Sequence, residues 1–410
     1  MYLLQVYVTN ASLNVNKPFT YVYDKEVLKF CRVKVYFHHA INYAIVVNCS
    51  YSSKDKKEID ASMGYKVLDI IEVIDDKPVI SDELYELALW LSKTSVSPLI
   101  SCLNCMLPKS LKTSKTVKSI KMIRKFRKKE GNYNLTQKQK EVYEQLYDGI
   151  EAAKARKISV SIIKKLLESG AIEEYEEEAS YENDEIHLSG FKTLTSDQED
   201  AYKKIIQNDS MVSLLFGVTG SGKTEVYLHL ARYYLQKGKD VLILVPEISL
   251  TPQMIQRVKE RFADVVFYHS ELSDQERYEQ YKRVKDKKVR IVVGTRSAIF
   301  LPFDDLGLII IDEEHDSSYK QDNIPCYHVR NVAFKRALYH KAKVLLASAT
   351  PSLESYTRAL KGDYQLLKLK DRINHCFPKI DIIDLNKEIK KSGSYIISKP
   401  LEEEIGLCLS

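Results

Sequence analysis

Two short stretches of the sequence combine residue types that suit phosphate chemistry. The first, residues 216–227, has the spacing G-x-x-x-x-G-K-[ST], in which Gly222 is followed by Lys223 and Thr224. In such a loop the backbone N–H groups surround a nucleotide's phosphates, the lysine reaches the β and γ oxygens, and the hydroxyl holds magnesium. We therefore predict ATP and magnesium as ligands. The predicted binding residues are Gly217, Val218, Thr219, Gly220, Ser221, Gly222, Lys223 and Thr224.

The second stretch is LIIIDEEH, in which Asp312 and Glu313 directly follow an apolar run. Adjacent residues at the end of a strand point in different directions. One carboxylate can therefore reach the water shell of magnesium while the other faces the attacking water. We predict Asp312, with Thr224, as the metal-holding pair and Glu313 as the general base. Lys223, Asp312 and Glu313 are then the catalytic residues.

Other polar residues near the ends of apolar runs are candidates for supporting roles. Gln198 lies about twenty residues before the phosphate loop, where its amide could read the adenine edge; the alternative is an ordinary surface residue of a helix. Arg296 could grip a nucleic-acid backbone without reading sequence. We expect Ser348 and Thr350 to link the phosphate state to domain motion. Glu314 and His315 are expected to couple the site to its surroundings.

These residues need a scaffold, and the pattern from about residue 191 onward supplies one. Continuous apolar runs alternate with helical patterns, as in parallel strands that are covered on both faces. The helical pattern directly after the phosphate loop covers residues 224–238. The runs lie at 211–216, 241–245, 265–268, 289–293, 308–311 and 344–347. The region 191–385 is therefore predicted to be a doubly wound α/β domain with ligands at the carboxyl ends of its strands.

Residues 1–108 are predicted to form a small β-rich module. Five stretches rich in β-branched and aromatic residues read as strands. The single predicted helix has Ser81 as its N-cap and Glu83 and Glu86 in its first turn. The content of Lys, Arg and Tyr would suit single-stranded nucleic acid, with aromatics stacking on bases. Tyrosines that simply fill the core are an equally good explanation.

The region between these two domains has strongly uneven charge. Residues 109–129 contain ten Lys or Arg and no acid, whereas residues 173–185 contain eight acids. We interpret 109–130 as a basic linker, with a strip that contacts phosphates as the alternative. The helices and short strand predicted over 131–178 outline a winged-helix-like domain, and 179–190 is predicted to be an acidic, flexible linker.

Composition sets broad limits on the class of protein. The formal net charge is only +6, and hydrophobic residues make up 44%, as in an ordinary soluble core. The seven cysteines lack a disulfide-like rhythm, which favours a reducing compartment. Cys102 and Cys105 form the only close pair, and we favour ordinary thiols over a metal site there. Without a signal peptide or an apolar run long enough to span a membrane, the sequence predicts a cytoplasmic protein with no membrane partner.

Together the motifs resemble one family. GVTGSGKTEVYL, VPEISLTPQ, VGTRSAIF, IDEEHDSSYKQ and SATPSLES are similar to the ATPase lobe of the primosomal protein N′ family, replication-restart helicases of superfamily 2. NKPFTY, CRVKVYF and the segment around Trp90 resemble the DNA-binding domain of that family. The resemblance implies a RecA-like lobe in an ATP-dependent 3′-to-5′ DNA helicase. Its implied partners are forked and single-stranded DNA, other primosome proteins and single-strand-binding protein.

The resemblance also implies which residues contact DNA. An aromatic-rich loop at 317–328 would couple DNA to ATP hydrolysis through Tyr319, Lys320, Tyr327 and His328. The two tyrosines of this loop also suggest, from the residues alone, a surface on which bases could stack. Phe19 and Tyr21 would belong to the pocket for the nascent 3′ end. Between these two residues the family usually has an aspartate, whereas this chain has a threonine.

The chain also departs from the family at its end. It stops at Ser410, where the family continues with a second motor lobe and a cysteine-rich zinc insertion. We therefore expect residues 386–410 to begin a truncated second lobe, and the zinc ligands to be absent from this chain. Two alternatives to a helicase remain: a non-catalytic module that binds nucleotide and DNA, and a small-molecule kinase that uses the same loop.

Overall fold

The structure is a computed structural model. It describes residues 1–9, 13–112, 122–129, 131, 133, 135–146, 150–178, 190–373, 380–392 and 396–409. Within these residues an amino-terminal barrel with attached helices is followed by a small mixed unit and then by a large parallel sheet. Every helix in the described part of the chain is too short or too polar to cross a membrane.

The amino-terminal unit is a closed five-stranded barrel, as the β-rich prediction required. Alternation along the first strand puts Leu4, Val6 and Val8 inside the barrel, where they are almost fully buried. The strands pair in the order β1-β2-β5-β3-β4. Their bounds are β1 (Tyr2–Val8), β2 (Phe19–Tyr23), β3 (Arg32–Phe37), β4 (Ala40–Tyr51) and β5 (Leu68–Val73).

This unit has more helices than the single one predicted. They are α1 (Lys56–Met63), α2 (Asp82–Thr94) and α3 (Leu99–Met106). The predicted helix is α2, and the Ser81 side chain caps it by accepting a hydrogen bond from the Leu84 N–H. The two missed helices have eight residues each, and Ile59 is the one buried residue of α1. So short a helix gives almost no periodic signal.

The small mixed unit changes the interpretation of the basic run. Its elements are β6 (Met122–Lys128), α4 (Gln137–Gln145), β7 (Ile150–Glu151), α5 (Ala152–Ile158), α6 (Val160–Glu168) and β8 (Ile172–Glu178). The sheet order is β7-β6-β8, with antiparallel pairing. The linker prediction for 109–130 is therefore wrong over β6, which forms the central strand beside the acidic strand β8. Glu173 lies 2.9 Å from the Lys129 ammonium and 3.7 Å from the Arg127 guanidinium. Residues 113–121 and 179–189 lie outside the described part of the chain.

The large sheet has seven parallel strands in the order β11-β12-β10-β13-β16-β9-β17. Its strands are β9 (Val212–Gly217), β10 (Asp240–Leu244), β11 (Val266–Tyr268), β12 (Ile291–Gly294), β13 (Leu306–Asp312), β16 (Lys343–Ser348) and β17 (Gln365–Leu369). Two short strands outside this sheet, β14 (Lys320–Gln321) and β15 (Tyr327–His328), pair with each other. The helices are α7 (Ser196–Gln207), α8 (Lys223–Gln236), α9 (Pro252–Lys259), α10 (Asp274–Lys285), α11 (Val329–His340) and α12 (Leu353–Leu360).

Both faces of this sheet are covered. Consecutive residues of β9 point to different cores, Leu214 to one and Leu215 to the other, and both are fully buried. This arrangement confirms the doubly wound, RecA-like prediction and explains the continuous apolar runs. The predicted strands are all present, whereas β17 was not predicted. The helices α13 (Leu385–Ser392) and α14 (Lys399–Leu409) follow, and the assignment of 386–410 to a second lobe stays a prediction.

The helices α2 and α3 share a core with the large sheet, apart from the core inside the barrel. At this joint lies Arg336 of α11, a fully buried arginine. Its Nε and Nη2 donate to the two carboxylate oxygens of Glu83 at 2.7 and 2.8 Å, and its Nη1 donates to the carbonyls of Ile299 and Leu301. The Tyr281 hydroxyl also donates to the carbonyl of Val79. The amino-terminal unit and the sheet are therefore packed together through buried polar contacts.

Candidate nucleotide site and nucleic-acid interface

The phosphate loop lies between β9 and α8, in the predicted strand, loop and helix order. Gly220 and Gly222 have φ angles of +80° and +79°, a region that suits glycine. A Cβ on Gly222 would come within 2.4 Å of the Gln198 amide nitrogen, and one on Gly217 within 2.6 Å of the Ser221 hydroxyl. Glycine is therefore required by conformation at Gly220 and Gly222, and by space at Gly217 and Gly222.

Two groups in this loop are suited to hold an anion. Lys223 is buried, and its ammonium donates to the carbonyl of Gly217 at 2.8 Å. Burial lowers the pKa of Lys223, and the negative charges of Glu313 and Asp312 partly offset that effect. The buried Ser221 hydroxyl has no hydrogen-bond partner among the described residues. A buried cation beside an unpartnered hydroxyl fits the phosphates of a nucleotide.

Asp312 ends β13, one strand away from the phosphate loop across β16. Because all these strands are parallel, their carboxyl ends lie at the same edge of the sheet. The Asp312 carboxylate accepts from the Tyr227 hydroxyl at 3.1 Å and from the Glu313 N–H at 3.1 Å. Removal from water raises the pKa of Asp312 to about 6, and the charge of Glu313 adds to the shift. The structure thus brings Asp312 and Glu313 to the phosphate-loop side of the sheet.

Glu313 begins a polar network that reaches the loop after β16. Its backbone has a φ of +44°, which is unusual for a residue other than glycine and is often found at functional sites. The Ser348 hydroxyl lies 3.4 Å from the Glu313 carboxylate and 2.8 Å from Nδ1 of His315. Nε2 of His315 lies 3.3 Å from the Thr350 hydroxyl. The four residues therefore form one continuous cluster beside the candidate base.

Glu314 points into the protein and is 1% exposed. Its carboxylate accepts from the Ser352 N–H at 2.6 Å, the Ser355 hydroxyl at 3.0 Å and the Arg330 guanidinium at 3.2 Å. These bonds fix the loop after β13 to the start of α12. Sequence reasoning missed Arg330, Ser352 and Ser355, as it missed Tyr227, because a sequence pattern does not show that their side chains reach the carboxylates at the end of β13.

Gln198 is buried, so the alternative of an ordinary surface residue is wrong. Its side-chain oxygen accepts from the Thr195 N–H at 3.0 Å, and its nitrogen donates to the carbonyl of Ser221 at 2.9 Å. A cavity of about 220 Å³ lies beside it, between residues 195–198 and the segment 369–373 that follows β17. Gln198 therefore ties the start of α7 to the phosphate loop, and its contact with adenine stays a prediction.

The predicted stacking surface in the loop 317–328 is not present in this structure. The ring of Tyr319 is 0% exposed and that of Tyr327 is 8% exposed, so neither is available to stack on a base. The hydroxyl of Tyr319 instead donates to the carbonyl of Asp312 at 2.7 Å. His328 caps α11 by accepting from the Arg330 N–H, and its pKa is lowered by burial.

Arg296 and Lys320 remain as cations near this loop. Nη1 of Arg296 donates to the carbonyls of Ser318 and Lys320 at 3.1 and 2.7 Å, so Arg296 braces the loop on both sides of Tyr319. The Lys320 side chain is exposed and forms an ion pair with Asp322 at 3.0 Å. Contact with DNA stays a prediction for both residues.

Phe19 and Tyr21 lie in the barrel, in a different unit from the phosphate loop. Phe19 is half-buried and packs edge-to-face on Phe37, with 4.8 Å between the ring centroids. Tyr21 is 4% exposed, and its hydroxyl donates to the carbonyl of Tyr36 at 3.0 Å. Both residues line a cavity of about 410 Å³ together with Tyr65, Lys66 and Leu68. Tyr21 therefore belongs to the barrel core as well as to the cavity wall.

The pair Cys102 and Cys105 lies on α3. Burial raises the pKa of Cys102 to about 12 and also raises that of Cys105, so both are held as thiols. Among the described residues, no group of three or more His, Cys, Asp or Glu side chains is placed to hold a metal ion.

Comparison with known families agrees with this architecture. The family described as 3′DNA-binding domain (3′BD) of PriA matches residues 5–108, and the DEAD/DEAH box helicase family matches residues 195–359. The replication restart protein PriA of Bacillus subtilis is 46% identical over 264 residues, covering 62% of this chain and 33% of that protein.

Other relatives carry the same name. PriA of Chlamydia pneumoniae is 36% identical over 368 residues, covering 83% of this chain and 49% of that protein. PriA of Synechocystis is 43% identical over 264 residues, covering 62% of this chain and 32% of that protein. The chain thus spans no more than about half the length of these curated relatives. The predicted resemblance is confirmed: the chain carries a PriA-type 3′DNA-binding domain and a DEAD/DEAH box helicase domain, and it is a relative of the replication restart proteins PriA.

Proposed function

We propose that the chain is an ATP-dependent DNA helicase of replication restart that moves 3′ to 5′ on forked and single-stranded DNA. One observation carries the proposal: the phosphate loop and the paired acids of β13 lie at one edge of the sheet, in a chain that also has a PriA-type 3′DNA-binding domain. The proposed setting is the cytoplasm. Other primosome proteins and single-strand-binding protein are the proposed partners.

Bound ATP and magnesium would supply a phosphoanhydride bond to cleave and a cation to offset phosphate charge. Lys223 and the loop's N–H groups are proposed to hold the phosphates, and Thr224 and Asp312 the metal. The Glu313 carboxylate is proposed to accept a proton from the attacking water. Tyr227 would keep the Asp312 carboxylate in place through the hydrogen bond described above.

The loop 317–328 is proposed to couple DNA to this chemistry, by a route that differs from base stacking. Arg296 holds the carbonyls on both sides of Tyr319, and the Tyr319 hydroxyl holds the backbone of Asp312. A strand that displaces Arg296 would therefore disturb the residue proposed to hold the metal. This chain of contacts supports coupling between the two sites.

The test is ATP turnover by this chain with and without DNA. We expect hydrolysis to rise with single-stranded or forked DNA and binding to be tighter to a fork than to duplex. Nucleotide and DNA binding without any turnover would favour the non-catalytic module instead. Equal affinity for fork and duplex would count against the restart role.

A further inference from the structure

The side chain of Tyr227 is fully buried in the core that covers one face of the large sheet. A phenylalanine would fill the same space without a polar atom, and a hydroxyl without hydrogen-bond partners is costly at this depth. The Tyr227 hydroxyl therefore needs partners. The structure gives it two, and both belong to the candidate nucleotide site.

The first partner is Asp312, at the end of β13. The Tyr227 hydroxyl donates to Oδ2 of this carboxylate at 3.1 Å, and the Glu313 N–H donates to Oδ1 at 3.1 Å. Each carboxylate oxygen thus has a donor of its own and keeps a lone pair for a further ligand. Burial raises the pKa of Tyr227 well above its usual value, so the hydroxyl stays a donor throughout the neutral pH range.

The second partner is Thr224, the hydroxyl residue of the phosphate loop. Thr224 and Tyr227 are three positions apart in α8, so their side chains are neighbours on one face of the helix. A side-chain hydrogen bond with Thr224 lowers the pKa of Tyr227, as expected where the Tyr227 oxygen accepts from the Thr224 hydroxyl. The three side chains therefore form a chain in which Thr224 donates to Tyr227 and Tyr227 donates to Asp312.

The two ends of this chain are the residues proposed above to hold magnesium, and their donor atoms suit that ion. Thr224 offers a hydroxyl oxygen and Asp312 a carboxylate oxygen. Mg²⁺ takes oxygen ligands and is usually held by one or two carboxylates together with phosphate oxygens and water. Groups that hydrogen-bond to metal ligands orient those ligands, and their loss typically lowers metal affinity by roughly 10–100-fold.

We propose that Tyr227 is a positioning residue that sets the spacing of Thr224 and Asp312 and thereby determines how tightly magnesium binds with the nucleotide. The proposal rests on the proposed function. It extends the contact of Tyr227 with Asp312 to the second of the two metal-holding residues, and it assigns the pair a shared support that touches neither the phosphates nor the attacking water.

The first test measures the affinity of a non-hydrolysable fluorescent ATP analogue for the chain, in EDTA and in saturating magnesium. Magnesium should tighten binding to the wild type, and the ratio of the two affinities reports the contribution of the metal. Tyr227→Phe keeps the buried ring and removes the hydroxyl. We expect this ratio to fall roughly tenfold in Tyr227→Phe, while the affinity in EDTA stays within about twofold of the wild type.

Tyr234→Phe is the matched control. Tyr234 lies two turns further along α8 and packs against the same core. Its ring lies against Gly307, at the opposite end of β13 from Asp312. The same chemical change is therefore made on the same helix, away from the nucleotide site, and the affinity ratio should keep its wild-type value.

An affinity ratio in Tyr227→Phe equal to that of the wild type would overturn the proposal. Equal weakening in EDTA and in magnesium would overturn it as well, because a residue that only packs would affect both conditions alike. Both outcomes leave the proposed function standing, provided that magnesium tightens nucleotide binding to the wild type. A wild-type affinity that does not respond to magnesium would instead overturn the proposed metal site, and this inference with it.

A second test measures the metal directly. The electron paramagnetic resonance signal of free Mn²⁺ falls when the ion binds, so a titration gives the Mn²⁺ affinity of the chain in the presence of stoichiometric ADP. We expect roughly tenfold weaker Mn²⁺ binding in Tyr227→Phe and wild-type binding in Tyr234→Phe. The same Mn²⁺ affinity in all three proteins would contradict the proposal.

Discussion

Two regions of the molecule bury ionisable groups, and the pKa values of the buried carboxylates shift in opposite directions in these two regions. At the joint, burial alone would raise the pKa of Glu83, but Arg336 and His340 outweigh it and bring the pKa down to about 2. At the nucleotide site, the effect of burial is larger than that of the neighbouring opposite charges and hydrogen bonds. The pKa of Asp312 therefore rises to about 6, and the pKa of Lys223 falls. The joint is a satisfied ion pair, whereas the nucleotide site holds charges that are only partly compensated.

The difference follows from geometry. Glu83 receives two N–H bonds from one guanidinium, with both donors within 2.8 Å. Asp312 has a second carboxylate beside it and a hydroxyl as its side-chain donor, while Lys223 donates to a backbone carbonyl. A buried ion pair with all its hydrogen bonds made indicates a role in stabilising the fold. Ionisable groups with perturbed pKa values in a cleft indicate a functional site. Each of the following predictions would break or sharpen this contrast.

The largest effect is expected from Glu83→Gln. Removing one partner of a buried ion pair leaves the Arg336 charge uncompensated, which costs about 3–5 kcal/mol of unfolding free energy. Glu86→Gln is the matched control, because Glu86 lies on the same helix and is exposed. Its effect should stay within about 0.5 kcal/mol. Denaturant unfolding measures both. Equal effects of the two substitutions would show that the joint contributes no more than the surface does.

The same ion pair should make stability depend on acid pH. The pKa of Glu83 is lowered from 4.5 to about 2 on folding, so its contribution is complete above about pH 4.5 and is lost as the pH falls toward 2. The contribution is roughly 3 kcal/mol at most. The difference in unfolding free energy between the wild type and Glu83→Gln should therefore shrink across that window. A difference that is constant with pH would contradict the lowered pKa.

The nucleotide site should respond at a different pH. The pKa of Asp312 is raised to about 6, so its carboxylate takes up a proton as the pH falls through that value. Because kcat/KM reports the ionisation of the free enzyme, kcat/KM for ATP should fall about tenfold per pH unit below 6. Stability measured over the same range is the control for unfolding. A kcat/KM that stays level down to pH 5 would contradict the raised pKa of Asp312.

The smallest effect is expected from Tyr319→Phe. This change keeps the buried ring and removes the hydrogen bond to the Asp312 carbonyl, a loss of about 0.5–1.5 kcal/mol. We expect DNA stimulation of ATP hydrolysis to fall severalfold while hydrolysis without DNA changes little. An equal fall in ATP hydrolysis with DNA and without DNA would mean that Tyr319 is only a core residue.

Sequence reasoning brought the residues of the candidate nucleotide site together because their spacing along the chain is local. The phosphate loop is a contiguous motif, and the carboxyl ends of parallel strands necessarily meet at one edge. The joint could not be predicted in this way, since Glu83 and Arg336 are 253 positions apart. Glu83 therefore looked like a residue of a helix's first turn.

The other errors have a similar origin. The basic strand β6 looked like a linker because its acidic partner β8 lies more than forty residues later. Tyr319 and Tyr327 looked like a stacking surface because a pattern does not show which side of a loop is buried.

The central claim, that the phosphate loop and the acids of β13 form one catalytic site, is tested most directly by comparing Glu313→Gln with Lys223→Ala. A fluorescent ATP analogue measures binding, and single-turnover hydrolysis with DNA measures chemistry. We predict that Glu313→Gln keeps nucleotide affinity within about threefold but loses roughly 10²–10⁴-fold in hydrolysis, as expected for loss of a general base. Lys223→Ala should lose both nucleotide affinity and hydrolysis. Hydrolysis by Glu313→Gln at the wild-type rate would contradict the claim.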